Sequence, residues 1–520
     1  MKYVIAYDMG TGGLKSSIFD ENGVSVASSF RQCETYYPAQ DFREQKPEEW
    51  WSTFAEGTRE LLSKAAVNVN DIVAAACSGH SLGIVPIDKN GRVLAEYVPI
   101  WSDARASQQA KEIFSRLDEK EWYLKTGNGF PPALYSAFKI LWFKENRPEI
   151  YNATDKFIGT KDFLNYRLTG VVGTDYSYAS GSGVYDLLKC EYDFELIKSI
   201  GLDPDLFPRL FESSEIIGKI RSDVARELGL PENLLVAAGG VDNSCMAAGA
   251  GCVEDGMVYT SLGTSSWIAV TSKKPVLNYE TKPYVFGHLI KGMYTSALSI
   301  FSGGNTYRWV RDTICPDLKE KEKAGGEDAY KVMDALAAES TVGANGLFFV
   351  PTLAGGASMD KSPDARGSIT GLDLKHTRAD VIRATLEGVC LGLKVALDEL
   401  RANVTLQNEM LIVGGGSKSP YWRQLFADIY GMSITESVVG ENAGSLGAMA
   451  CAAIGSGIWK DFRPLIGLNK PVKTLYPNEE NKALYSGKIY RKFCKLNTYM
   501  SEIADYNPQA GSTGPAEYNP

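Results

Sequence analysis

A strand, a glycine-threonine turn and a second strand occur at the N-terminus and again at mid-chain, and this repeat limits the folds open to the sequence. The apolar run 3–7 ends in Asp8-Met9-Gly10-Thr11-Gly12-Gly13 and a strand pattern resumes at 14–19. Residues 257–260 likewise run into Ser261-Leu262-Gly263-Thr264-Ser265, with strand-like residues again at 267–270. The match between Met9-Gly10-Thr11-Gly12 and Leu262-Gly263-Thr264-Ser265 is short, but its place at the start of each half predicts a duplicated fold. A chain of 520 residues has room for two large domains.

Turn residues 20–23 and the run 24–28 extend the first hairpin into a three-stranded meander. From Pro47 the pattern turns helical, with Trp50, Trp51, Phe54, Leu61 and Leu62 as the apolar stripe, and a strand follows at 72–76. Residues 234–238 lead into Gly239-Gly240-Val241-Asp242-Asn243 and then a small-residue segment, 247–251. In the second half, 378–400 reads as a helix, 410–413 as a buried strand ending in Gly414-Gly415-Gly416, and 417–430 as the next helix. The polar, breaker-rich C-terminus predicts a disordered tail.

Charge excludes one broad class. With 54 Lys+Arg against 63 Asp+Glu the net charge is −9, the wrong sign for coating a phosphate backbone, so nucleic acid is not an expected partner. Small anions remain open, since backbone N–H groups in a glycine turn hold them without net positive charge. Nine cysteines with no C-x-x-C pair read as reduced, mostly buried thiols. Three dispersed histidines, His80, His288 and His376, leave no multi-histidine zinc site, so any metal has oxygen ligands. No leader-like apolar segment opens the chain and no stretch reaches about 18 uninterrupted apolar residues. The expectation is a cytoplasmic protein with no membrane partner.

The turns carry the chemistry. In Asp-x-Gly-Thr-Gly-Gly the glycines let backbone N–H groups face phosphate oxygens, while Asp8 would hold a Mg²⁺ and Lys15 add a point charge. A plain hairpin turn is the alternative. The G-x-G-x-x-G pattern fails at Lys15, and no G-x-x-x-x-G-K-[ST] string occurs. Gly79-His80-Ser81-Leu82-Gly83 is a literal G-x-S-x-G, which raises a serine hydrolase using Ser81; the elbow needs a helix next, yet 84–93 reads as a hairpin. Asp242, closing an apolar strand, stands where α/β sheets present ligand-contacting groups. It is either a general base or the N-cap of the helix after it. Gly414, Gly415 and Gly416 would let a flat base or ribose approach the backbone, or simply make a tight strand-to-helix turn.

The segment Tyr135-Ser136-Ala137-Phe138-Lys139-Ile140-Leu141-Trp142-Phe143-Lys144-Glu145-Asn146 and the segment Gly367-Ser368-Ile369-Thr370-Gly371-Leu372, with Asp380-Val381 and Ala384-Thr385-Leu386-Glu387, are similar to the two signatures of the FGGY carbohydrate kinases. The chain resembles that family over nearly its full length. The resemblance implies an α/β fold of two actin-like (ribonuclease H-like) ATPase domains with a cleft between them. Residues 1–246 would bind sugar and the first phosphate, 247–497 would bind ATP, and 498–520 would be a disordered tail. Gly10, Thr11, Gly12, Gly13 and Lys15 would form the first phosphate loop; Gly263, Thr264 and Ser265 the second. Gly304 with Gly414, Gly415, Gly416 and Ser417 would flank adenosine. Asp242 falls on the family's catalytic aspartate, which selects the base over the cap, and Asp8 with Asp242 would hold Mg²⁺. A homodimer is implied as well.

Tyr36-Tyr37-Pro38, Glu44-Gln45-Lys46-Pro47 and Trp101-Ser102-Asp103-Ala104-Arg105 are most similar to the xylulokinase branch, which implies a ketopentose such as xylulose as acceptor. Where that branch carries Gln-Met-His-Gly, this chain has His80-Ser81-Leu82-Gly83, so another ketose, polyol or hydroxylated signal molecule stays open. The expected substrate contacts are His80, Ser81, Leu82, Trp101, Asp103, Arg105, Asp242 and Asn243. His80 has a structural alternative; Asp103 and Arg105 would fork onto hydroxyls or form an ion pair. A non-catalytic sensor of sugar and nucleotide is the reading from another class, and the intact Asp8, Asp242 and both turns count against it.

Overall fold

The computed structural model describes residues 1–437, 439–469 and 471–506. They fall into two compact units, one of Met1–Asp255, Thr271–Ser296 and Asn442–Asn469, the other of Gly256–Val270, Ala297–Glu441 and Lys470–Pro520. This division differs from the single boundary at 246 expected from the sequence, because two later segments return to the first unit.

The first unit is built on a six-stranded sheet of β1 (Tyr3–Gly10), β2 (Gly13–Asp20), β3 (Ser25–Gln32), β4 (Ile72–Gly79), β5 (Ile216–Lys219) and β6 (Leu235–Val241), in the order β5-β6-β4-β1-β2-β3. The expected meander is β1 to β3, antiparallel throughout, and Gly10 pairs with Gly13 to close the two-residue turn Thr11-Gly12. β1, β4 and β6 are mutually parallel. As a central parallel strand, β4 is apolar on both faces and buried except at Val73. Helix α1 (Pro47–Lys64) has Pro at its start, Glu48 and Glu49 in the first turn and Lys64 in the last, all favourable to the helix dipole, and buries Trp50, Trp51, Phe54 and Leu61. Helices α2 (Ser136–Asn146), α3 (Thr160–Thr169) and α4 (Asp242–Gly249) complete what the site uses. The expected hairpin over 84–93 is reduced to one bridge, Ile87 to Val93; Val85–Ile87 pairs instead with Lys156–Ile158.

The second unit repeats the plan. Strands β7 (Met257–Leu262), β8 (Ser266–Ser272), β9 (Glu409–Val413), β10 (Ser433–Ser437) and β11 (Pro471–Leu475) lie in the order β8-β7-β9-β10-β11. The pairings from β7 outward are parallel, parallel and antiparallel, the same series as β1-β4-β6-β5. Helix α5 (Gly304–Thr313) starts beside the β7–β8 turn, and α6 (Arg378–Asn403) opens on a capping box of Thr377 and Asp380. Helix α7 (Pro420–Tyr430) begins at Pro420 with Ser419 as N-cap, three residues later than expected, because Gly415–Lys418 forms a tighter turn first. Residues 498–506, expected to be disordered, are helical, since the helix Tyr490–Glu502 runs into the turn Ile503–Tyr506. The rest of the expected tail, 507–520, lies outside the described residues. All nine cysteines are free thiols, six of them buried. No described helix is long and apolar enough to cross a membrane.

One buried histidine ties stability to pH. His288 donates from Nε2 to the Cys252 carbonyl at 3.0 Å and accepts from the Ile290 N–H at Nδ1, 3.1 Å, and the second of these bonds requires the neutral ring. Burial pushes its pKa down to about 4. The unfolded chain therefore takes up a proton near pH 6.5 that the folded chain refuses until about pH 4, and stability falls as pH drops through that window. The loss attributable to His288 is about 3 kcal/mol. Urea unfolding at pH 7.5 and 4.5 will show a smaller pH effect in a His288→Asn variant; equal losses in both proteins would rule this group out.

Candidate active site

Three parallel strands of the first unit deliver their C-terminal ends to one place. Asp8, two residues from the end of β1, has Lys15 opposite it on β2 and Ser78 on β4. Asp242 directly follows β6, whose last residue, Val241, pairs with Gly79 of β4. The turn into α4 depends on Gly239, at φ +71° in a bulge; a side chain there would put Cβ 1.9 Å from the Cys77 carbonyl oxygen. Asp242 is the first residue of α4 and Val241 takes the cap position, so the capping alternative is not what the structure forms. Its Oδ1 accepts from the N–H and the Nδ2 of Asn243 at 2.8 and 2.9 Å, leaving Oδ2 without a donor from any other described residue.

The charge of Asp8 acts on Asp242. Burial first, then the charge of Asp8, pushes Asp242 up to about 7, against the pull of the Asn243 donors. Burial also pushes Asp8 up, against the Ser78 hydroxyl and the Lys15 ammonium. A helix of small residues, α8 (Ala443–Gly455), is what presses on them. Cβ atoms built at Gly444 and Gly447 would fall 2.3 Å from Asp8 Oδ2 and 2.0 Å from the Cys245 carbonyl, and one at Gly249 would fall 1.8 Å from that of Ala443. Glycine at these points lets α8 lie against β1 and α4. Among the described residues no three His, Cys, Asp or Glu form a metal cluster. Two neighbouring carboxyls raised by burial, without a third protein ligand, fit a hard cation that keeps waters and shares phosphate oxygens.

The first glycine turn is braced by side chains. Gln45 Nε2 donates to the Thr11 carbonyl at 2.8 Å and Trp101 Nε1 to Thr11 Oγ1 at 2.9 Å. Gly13 is required by packing, with a Cβ 2.2 Å from the Arg31 carbonyl, whereas Gly12 faces open space. Trp101 stays 37% exposed, so one ring surface is available to a ligand. Ser81, Leu82 and Gly83 form a tight turn closed by Gly83 N–H to the Ser81 carbonyl, 2.7 Å, with Leu82 at φ +61°. No helix follows Ser81, so the hydrolase elbow is absent. His80 is buried against Trp50, shares a hydrogen bond between Nδ1 and Thr160 Oγ1 at 3.2 Å, and is held neutral by burial, its pKa pushed down to about 3. Its Nε2 is buried without a partner.

Asp103 and Arg105 are occupied with one another. Arg105 donates from Nε and Nη2 to the two Asp103 oxygens at 2.8 Å each and from Nη2 to Glu44 at 2.6 Å, sandwiched by Phe42 and Trp142. Asp103 also accepts from the Arg43 N–H at 2.6 Å. The pair is buried and knits the chain at 42–44 to that at 103–105, which is the ion-pair alternative in a buried form.

In the second unit the expected nucleotide residues converge. The ends of β7 and β9 are neighbours, Ser261 pairing with Val413. Gly304 and Asn305, opening α5, donate to the carbonyls of Gly263 and Thr264 at 2.9 and 3.2 Å. A Cβ at Gly304 would sit 2.3 Å from the Gly263 oxygen, and one at Gly414, φ +93°, 2.7 Å from the Leu262 oxygen. Ser417 turns its hydroxyl back onto the Gly414 carbonyl at 2.7 Å, and Gly415 faces open space. Thus the Gly263-Thr264-Ser265 turn, Gly304 and the run Gly414-Gly415-Gly416-Ser417 occupy one region. Sequence reasoning missed α8, whose small residues carry no chemistry of their own. It also missed a role for Lys139, although a lysine within Ala-Phe-Lys-Ile-Leu-Trp-Phe was a visible signal.

Comparison with known proteins agrees with this fold. Residues 3–249 match the FGGY family of carbohydrate kinases, N-terminal domain, and residues 258–456 its C-terminal domain. A xylulose kinase of Staphylococcus epidermidis is 30% identical over 483 residues, 93% of this chain and 94% of the relative. The crystal structure of a xylulose kinase from Rhodospirillum rubrum superposes with TM-score 0.88 at 26% identity, over 97% of this chain and 100% of that one. A gluconate kinase from Lactobacillus acidophilus has the same fold, TM-score 0.88 at 24% identity, over 97% and 99% of the two chains.

Proposed function

Because the chain belongs to the FGGY family of carbohydrate kinases, we propose that it phosphorylates a ketopentose such as xylulose from ATP, with Asp242 as the general base. The observation that carries this reading is the carboxyl at the end of β6, raised to about 7 by burial and by Asp8, with one oxygen left without a donor from any other described residue. A base acts best when its pKa lies near the working pH, and an ordinary aspartate is far below it. Oδ2 of Asp242 takes the proton as the acceptor oxygen bonds to phosphorus and the bond from phosphorus to the leaving oxygen breaks. The loose transition state asks little of the nucleophile, so the transfer can be late.

Asp8 and Asp242 would hold Mg²⁺, which when bound offsets phosphate charge. The amides around Thr11 in the first unit, and around Thr264 in the second, each offer donors to phosphate oxygens. Gly304 and Gly414 to Ser417 take the nucleoside, since close packing of the glycines gathers these segments in the second unit and Gly415 faces open space. On the sugar side stand the open ring surface of Trp101, Ser81, the Leu82 backbone and Asn243.

One observation favours a second acceptor class: Leu82 is fully buried and apolar, so this position supplies no side-chain hydrogen bond to a sugar hydroxyl. A coupled ADP-release assay over ketopentoses, ketohexoses, polyols, sugar acids and hydroxylated signal molecules decides between them. The highest kcat/KM is expected with a ketopentose. A polyol or sugar acid turning over at least tenfold better would reassign the acceptor, and silence on all compounds with saturable binding of one would favour a sensor.

A further inference from the structure

Lys139, on α2, is fully buried, and its Nζ donates to three backbone carbonyls: Ile100 at 2.6 Å, Leu82 at 3.1 Å and Trp101 at 3.4 Å. Among the described residues no carboxylate lies within ion-pair distance of it; Asp103 and Arg105 act on it only from further away, and with opposite sign. An ammonium withdrawn from water without a counter-charge is costly, and here carbonyl dipoles from two separate loops are the compensation. One loop is the tight turn after β4, where Leu82 sits at φ +61°, a conformation that persists only where the surroundings over-determine it. Ser136 Oγ, one turn before Lys139 on α2, adds a donor to the same Leu82 carbonyl at 3.3 Å. The other loop follows Pro99 and carries Trp101, whose indole reaches Thr11 Oγ1 in the glycine turn.

We propose that Lys139 is a positioning residue for acceptor recognition: its buried amino group, hydrogen-bonded to carbonyls of both loops, holds the strained 81–83 turn and the 100–101 segment in register, and thereby shapes the sugar side of the site. The inference rests on the acceptor placement under the proposed function. Lys139 touches neither reactant in this account. Its loss loosens both loops, weakens acceptor binding, and leaves the nucleotide's contacts and the base unchanged.

The test compares the wild type with Lys139→Met, which keeps the length and removes the donors, and Lys139→Gln, which keeps two N–H donors without charge. For the best acceptor, KM should rise at least tenfold in K139M and less in K139Q, with kcat at saturating acceptor within about threefold and KM for ATP within twofold. A general loss of folding would lower the apparent kcat through the active fraction and leave both KM values unchanged. Should K139M not fold, K139Q carries the same expectation on its own, a rise in acceptor KM with ATP KM unchanged. Trp101→Ala serves as the control for acceptor placement, because it removes an exposed ring surface directly. Acceptor KM unchanged in the Lys139 variants but raised in W101A overturns the role of Lys139 alone. Acceptor KM unchanged in W101A as well overturns the placement of the acceptor, and the role of Lys139 with it.

Discussion

Exchanging Asp242 for asparagine will lower sugar-dependent ADP release by about 10²- to 10⁴-fold, the range for loss of a general base, while ATP still binds. Asparagine keeps the size and the Oδ1 bonds to Asn243, so the loss comes from the missing charge at Oδ2, and repeating the assay at raised Mg²⁺ separates proton acceptance from any share in holding the metal. The same exchange should make the protein more stable at neutral pH. A carboxyl raised from 3.8 to about 7 binds a proton in the folded state before the unfolded one does, so its ionisation lowers stability progressively between pH 4 and 7. Because the group is partly exposed, we expect a gain of about 1–3 kcal/mol rather than the full shift. Thermal unfolding at pH 7.5 beside the rate assay checks both halves, and a variant that is less stable and inactive would point to a structural role.

Gly444→Ala is the second large effect. The added methyl would lie 2.3 Å from Asp8 Oδ2 and 2.8 Å from its Cγ. α8 cannot easily retreat, because its backbone approaches α4 at Gly447 and Gly249 as closely. The carboxylate of Asp8 must therefore turn away, and a displacement of about 1 Å at a reacting centre costs on the order of 10²-fold in rate. The half-saturating Mg²⁺ concentration should rise at least tenfold, with a stability cost of about 1–3 kcal/mol from overpacking. A kcat within twofold of wild type at unchanged Mg²⁺ demand would remove Asp8 from the site.

Much of the architecture was legible because local signals and tertiary demands coincide. The Gly-Thr turns sit at strand ends in both units, and the first closes Gly10 onto Gly13 as a two-residue hairpin of this composition should. The residues alone left Asp242 between two roles and the family resemblance selected the base; the structure, with Val241 as the cap and Asp242 first in α4, forms no cap there. Asp103 and Arg105 show the limit of reading charge as recognition. Two charged residues after an apolar strand predict a polar contact, but only the fold shows that Glu44 and the Arg43 backbone supply it. Likewise G-x-S-x-G fixes composition and not conformation; here Leu82 bends the chain into a strained turn and a strand follows. The helix at 443–455 was invisible because glycine and alanine there answer to distant backbone, not to neighbours in sequence.

The most direct test of the general base is the pH dependence of kcat/KM for the acceptor, which reports the ionisation of the free enzyme. In the wild type the rate should fall about tenfold per pH unit below an apparent pKa raised above the ordinary aspartate value, moving down as Mg²⁺ is raised, with the limb belonging to the coupled Asp8–Asp242 pair. The residual activity of D242N should be flat across the same range. An acid limb of the same midpoint persisting in D242N would contradict the assignment.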